Sequence, residues 1–167
     1  MNGRRIAGAI WLAQPDYLLT LTLVGNTYEE IRTNINAFFK AMRKIFPTLK
    51  HTWQAEWNPG GTGAHTLSYL HLDDRSISPA VVAEHWPHHF LLQRVLVNAA
   101  PPFFDYQMKS LTDDDERVRY IDLNNSPTTT RPTLVHASPG FWRDGKGGET
   151  MTRARAEVVA NKRRRAS

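Results

Sequence analysis

The chain has no cysteine among its 167 residues. That absence excludes a disulfide framework and any thiolate zinc site, and it suits a reducing cytoplasm. No apolar run approaches the roughly 20 residues of a membrane-spanning helix. The N-terminus carries no uninterrupted apolar stretch ahead of a cleavage site. The expectation is a soluble, unexported, cytoplasmic protein with no membrane partner. No Gly-x-x-x-x-Gly-Lys-Ser/Thr loop is present to cradle nucleotide phosphates, so no helicase is attached. Internal repeats are also absent.

What is present fits one domain with a real core. The net charge is +5, and it is unevenly placed. Residues 151–167 hold Arg153, Arg155, Lys162, Arg163, Arg164 and Arg165 against Glu157 alone, which leaves 15 basic and 15 acidic residues in the rest. Such a segment binds polyanions through counterion release and carries little sequence information. The chain therefore divides into a domain over 1–148 and a basic C-terminal tail over 149–167. The tail reads as a polar helix or disorder, with Gly145, Gly147 and Gly148 as a hinge.

Residues 17–23, YLLTLTL, alternate as a strand with Leu19, Leu21 and Leu23 on one face. Thr27 and Glu30 have capping-box spacing. A helix follows, with Ile31, Ile35, Phe38, Phe39, Met42, Ile45 and Phe46 in one stripe, closed by Pro47. Residues 51–57 alternate again: Trp53, Ala55 and Trp57 against Thr52, Gln54 and Glu56. NPGGTG is a turn by composition. Residues 65–72 return as a strand with His65, Leu67, Tyr69 and His71 on one face. The segment 78–98 reads as helical on both sides of a break at Pro87. A short helix starts at Pro101, and 117–123 and 132–138 read as further strands. This order predicts an α+β fold: an antiparallel sheet of about four to five strands with helices packed mainly on one face.

Two constellations carry chemistry. Across the hairpin Glu56 and His65 are expected to face each other, a carboxylate and an imidazole usable as ligands for Mn²⁺ or Mg²⁺. In FFDYQMKSL, residues 103–111, Phe104, Met108 and Leu111 share a stripe, while Tyr106 and Lys109 share the opposite side. A phenol has a pKa of about 10 and is a poor nucleophile unaided. A neighbouring ammonium and a metal-polarised phosphate would help it attack phosphorus. His85, His88 and His89 fit no common closed zinc site.

Taken in order, YLLTLTL, EWNPGGTGAHTLSYLHL and YQMK resemble the three motifs of the HUH endonuclease superfamily, as found in rolling-circle replication initiators of plasmids, phages and small viruses. The resemblance covers about residues 17–148. It implies a ferredoxin-like sheet, Leu19–Thr22 as the first motif, Glu56 and His65 as ligands of a divalent ion, Tyr106 as the nucleophile, and Lys109 beside it offsetting phosphate charge or positioning the metal. The implied activity is nicking and rejoining of single-stranded DNA at a replication origin through a 5′-phosphotyrosine, with a host helicase and polymerase as partners. The family's second metal position falls here on Leu67, which cannot ligate. His136 or Asn58 can fill the gap only if the fold brings them in. A weakened or inactive DNA-binding module of the same fold is therefore the alternative, and a single-stranded RNA-binding α+β domain is a third reading. For DNA contact the expected residues are Trp142, Arg143 and Lys146 in the Gly-rich FWRDGKGG, together with Arg163, Arg164 and Arg165. Trp53 and Trp57 are assigned to the core.

Overall fold

The computed structural model describes residues 2–23, 27–58, 63–73, 75–96, 99–108 and 114–167. The alternation at 17–23 becomes β1 (Tyr17–Leu23), and the hairpin becomes β2 (Lys50–Trp57) and β3 (Ala64–His71). With β4 (Phe90–Arg94) and β5 (His136–Ala137) they form one sheet, ordered β4-β1-β3-β2-β5, all pairings antiparallel. The helices are α1 (Asn2–Ala13), α2 (Tyr28–Ile45), α3 (Pro79–His85), α4 (Pro101–Gln107), α5 (Asp114–Asn124) and α6 (Arg153–Ala166). The α+β class and the antiparallel sheet are as the sequence predicts.

The expected capping box at α2 is formed in both directions, Glu30 N–H donating to Thr27 Oγ1 at 3.3 Å and Thr27 N–H donating to Glu30 Oε2 at 3.4 Å. It fixes the start of a helix whose buried stripe is Ile31, Ile35, Phe38, Phe39 and Met42. That stripe packs on Leu19, Leu21, Trp53 and Leu70 from one sheet face. Fully burying one such Leu contributes about 1.5–3 kcal/mol.

The sequence predicts helices mainly on this face, but they cover both. Leu18, Leu67 and Tyr69 point to the other side and need cover too. It comes from Ile6 and Ile10 of α1, Phe104 and Met108 at α4, and Ala156 and Ala160 of α6. The first of these helices lies in a segment for which no element is expected from sequence. The basic segment, expected as a polar helix or disorder, is thus a packed helix. Its small residues let α6 approach α1 so closely that a Cβ on Gly8 would sit 3.4 Å from that of Ala160.

Two elements change type. Residues 90–94, expected to be helical, form edge strand β4, because β1 needs a partner for the backbone groups facing away from β3. Residues 117–123, expected as a strand, lie in α5, which buries Tyr120, Leu123 and Asn124 at i, i+3 and i+4. The strand expected over 132–138 shrinks to the two residues of β5. The expected glycine hinge is instead a tight turn. Asp144 N–H donates to Glu149 O at 3.1 Å, Arg143 bridges to Thr150, and a Cβ on Gly148 would lie 1.8 Å from Asp144 O.

The edge of β2 is closed by a side chain. Ala55 N–H donates to Asn124 Oδ1 at 2.8 Å, and Asn124 Nδ2 donates back to Ala55 O at 3.0 Å, so the carboxamide takes the place of a strand residue. Asn124→Ala leaves both buried backbone groups without that partner. It is expected to cost about 2–3 kcal/mol, read as a lower urea midpoint at unchanged slope.

Candidate active site

The hairpin register pairs Glu56 with His65, as the alternation requires. On the same face the next row pairs Gln54 with Leu67, and β1 adds Thr22 beside His65 and Thr20 beside Leu67. The result is a polar end to a sheet face whose middle is apolar.

His65 is oriented from behind. Its Nδ1 lies 2.7 Å from Asn58 Oδ1. A carbonyl oxygen cannot donate, so Nδ1 carries the hydrogen and donates it. In the neutral ring Nε2 is then left with its lone pair, 3.6 Å from Glu56 Oε2. A carboxylate oxygen and an imidazole nitrogen at that range can share one metal ion. Ligands bound to one ion by bonds of about 2.1 Å lie roughly 3.0–3.5 Å apart, close to what is seen. A second-layer carbonyl fixing the tautomer is also the usual support for a ligating histidine. Asn58 is itself placed by the turn: its N–H donates to Gly63 O at 3.0 Å, and Gly63 has φ +75°. Any Cβ there would be strained and 3.2 Å from Asn58 Nδ2.

The third ligand implied by the resemblance is missing. Leu67 is buried in the core formed with Phe104 and Met108. Among the described residues no cluster of three or more His, Asp or Glu side chains is suited to a metal. His136 does not fill the gap: it stacks on Trp53 at 3.9 Å, on the opposite sheet face, and its Nε2 lies 2.9 Å from Asn124 O. Asn58 does reach the site, as a support for His65. The residue that sequence reasoning missed is Gln54. It faces Leu67 across the strands, and its Nε2 donates to Glu56 Oε1 at 3.4 Å. The strand pattern contained the signal, since Gln54 and Glu56 share a face.

Gln54 also ties the site to α4. Its Nε2 lies 3.4 Å from Gln107 O and 3.4 Å from Met108 Sδ. Phe104 and Met108 anchor the α4 segment, while Tyr106, one residue from Gln107, is 63 % exposed. The other tyrosines lining this face are unlike it. Tyr69 and Tyr120 are buried, and burial, then the charge of Glu56, raises both phenols well above their ordinary value. Tyr120 also donates to Leu134 O. Lys109, expected beside Tyr106, lies outside the described residues.

The expected DNA contacts separate. Trp142 is buried in the core, which removes it as a stacking surface. Arg143 is buried as well, whereas Lys146 is exposed and pairs with Asp16 at 2.5 Å. Arg163 grips Asp144 with bonds of 2.6 and 2.8 Å, and Arg164 grips Asp105 of α4 at 3.1 and 2.5 Å. Those two arginines dock α6. Arg165 joins Arg4 and Arg5 along a groove between α1 and α6.

Comparison with protein-family models, with curated proteins and with solved structures finds no match. No helix of the described residues is long and apolar enough to cross a membrane.

Proposed function

We propose that this chain is a tyrosine-dependent nicking and joining enzyme for single-stranded DNA, of the HUH endonuclease kind, acting at a replication origin. One observation carries the reading. The Glu56–His65 pair and the helix bearing an exposed tyrosine lie on one sheet face, linked through Gln54. A carboxylate is a hard oxygen donor suited in kind to Mn²⁺ or Mg²⁺, and the oriented imidazole is a borderline nitrogen donor that Mn²⁺ also takes. When bound, such an ion supplies a Lewis acid for a phosphoryl oxygen.

The chain's own residues do the rest. Tyr106 Oη forms an ester bond to phosphorus and loses its proton. The P–O3′ bond breaks, and the released 3′ oxygen gains a proton. One phosphodiester replaces another, so attack by the 3′-hydroxyl reverses the step without ATP. Of the phenols lining this face, Tyr106 is the exposed one, and the raised pKa values of Tyr69 and Tyr120 make them poor nucleophiles.

The buried Leu67 favours a second reading, a module of the same fold that binds DNA without cutting it. Incubation with labelled single-stranded oligonucleotides covering candidate origin sequences separates the two. The enzyme gives an adduct that survives denaturing electrophoresis with Mn²⁺ and disappears with EDTA. Tight binding with no adduct under either condition is the result that establishes the module and rejects the enzyme.

A further inference from the structure

A second polar site lies at the far end of the same sheet. His71 shares a β3 face with His65, and six residues of strand rise put it about 20 Å away. Beside it opens a cavity of 800 Å³. Arg75, Arg94, Arg143 and Lys146 line it, against two carboxylates, Asp16 and Asp73, among the described residues.

These cations come from three separate segments, and the fold holds them together. Arg75 follows β3, and its Nη1 donates to Ile45 O at 3.0 Å. Arg94 ends β4, with its guanidinium 5.5 Å from the centre of the Tyr17 ring. Arg143 and Lys146 belong to the glycine turn, where φ values of +77° at Gly145 and +67° at Gly147 carry the chain back on itself. Arg143 is 8 % exposed, yet its compensation is incomplete. Its Nη2 donates to Gly140 O at 3.0 Å, its nearest carboxylate, Asp73, is 3.7 Å from Nη1, and Nε has no hydrogen-bond partner among the described residues. Neither Arg75 nor Arg94 pairs with a carboxylate among the described residues. A buried guanidinium with so little anionic charge around it is costly unless an anion completes the set.

We infer that this cavity is a phosphate-binding site for the backbone of single-stranded DNA, separate from the Glu56–His65 end. Planar guanidinium groups match phosphate oxygens in pairs. The volume exceeds what a lone phosphate fills and is in the range of sites for nucleotide-sized ligands. The Arg94 guanidinium, lying over the buried Tyr17 ring, presents a flat face to a sugar or base. The phosphate chemistry stands by itself; naming DNA as its carrier rests on the function proposed above.

The test is equilibrium binding of a labelled 20-nucleotide oligothymidylate by fluorescence anisotropy over a salt series. The variant is Arg94→Ala with Lys146→Ala, both exposed residues whose removal leaves the core intact. The control is Lys40→Ala with Lys44→Ala on exposed positions of α2, which removes the same charge from residues that do not line the cavity. The cavity variant is expected to bind about 10-fold more weakly, with a salt slope shallower by about 0.7 for each phosphate it no longer neutralises. The control should stay within about twofold of the unaltered chain. Equal weakening in both variants, or in neither, overturns the proposal. Titration with inorganic phosphate, followed by NMR, forms the second arm. Saturable shifts at Lys146 without any oligonucleotide binding would make this a small-anion site and overturn the DNA assignment. Binding that depends on the cavity, with no covalent adduct, upholds this site while rejecting the nuclease.

Discussion

Tyr106→Phe is expected to lower covalent adduct formation by about 10³-fold or more, with the fold and the affinity for DNA nearly unchanged. The variant lacks only the atom that forms the bond to phosphorus, and loss of a nucleophile commonly costs that much or more. Its ring is exposed, so the change in stability should stay within about 0.5 kcal/mol. Rescue by a neighbour is closed off. Tyr69 and Tyr120 are the other phenols near Glu56, both are buried, and their raised pKa values keep them protonated. The measurement is adduct yield per unit time on a denaturing gel, with circular dichroism to check the fold. An adduct that persists at the original rate would remove Tyr106 from the chemistry and leave the hairpin site without a nucleophile.

The chain should also lose about 4 kcal/mol of stability between pH 7 and pH 5, through two histidines that fold up neutral. Burial, with help from Arg43, lowers His51 to about 3. Burial, then Arg143 and Lys146 against the opposing pull of Asp16, lowers His71 to about 4. The ring of His51 stacks on Phe39 at 3.7 Å, and that of His71 lies 5.0 Å from Phe141, so neither is surrounded by water. In the unfolded chain each takes up a proton near pH 6.5. Between that value and the folded values, the unfolded state binds more protons, so stability rises with pH and is lost as pH falls. The slope is about 1.4 kcal/mol per pH unit per histidine, giving roughly 2 kcal/mol for each at pH 5. His136, lowered mainly by burial, acts in the same direction. Ordinary carboxylates remain charged above pH 5, so this window isolates the histidines. Urea midpoints at the two pH values test it, and His51→Leu should shrink the difference by about half. Equal midpoints at pH 7 and pH 5 would mean that these rings are protonated inside the fold, contrary to their surroundings.

The parts of the site that could be read from sequence are the local ones. A period of two over 51–57 and 65–72, joined by a short glycine turn, places Glu56 and His65 opposite each other in only one way. The same pattern puts Gln54 beside them, although its role emerges only when Gln107 and Met108 arrive from 53 and 54 residues away. Tyr106 stands out in sequence because Phe104 and Met108 claim the opposite face of a short helix. Nothing local shows that this helix lies over the polar end of the sheet.

The amino-acid order by itself determined β1, the capped helix α2 and the β2–β3 hairpin, because each is set by interactions between residues a few positions apart. Tertiary structure alone decided that 90–94 is an edge strand, that 117–123 is helical and that the basic C-terminus is a packed helix. In each case a partner distant in sequence fixed the outcome: the open side of β1, the β2 edge that Asn124 fills, and the small-residue face of α1. Local preference for those segments is weak, so satisfied backbone groups and buried surface outweigh it. The far-end cavity is the extreme case, since the bond between Lys146 and Asp16 joins residues that no periodicity could bring together.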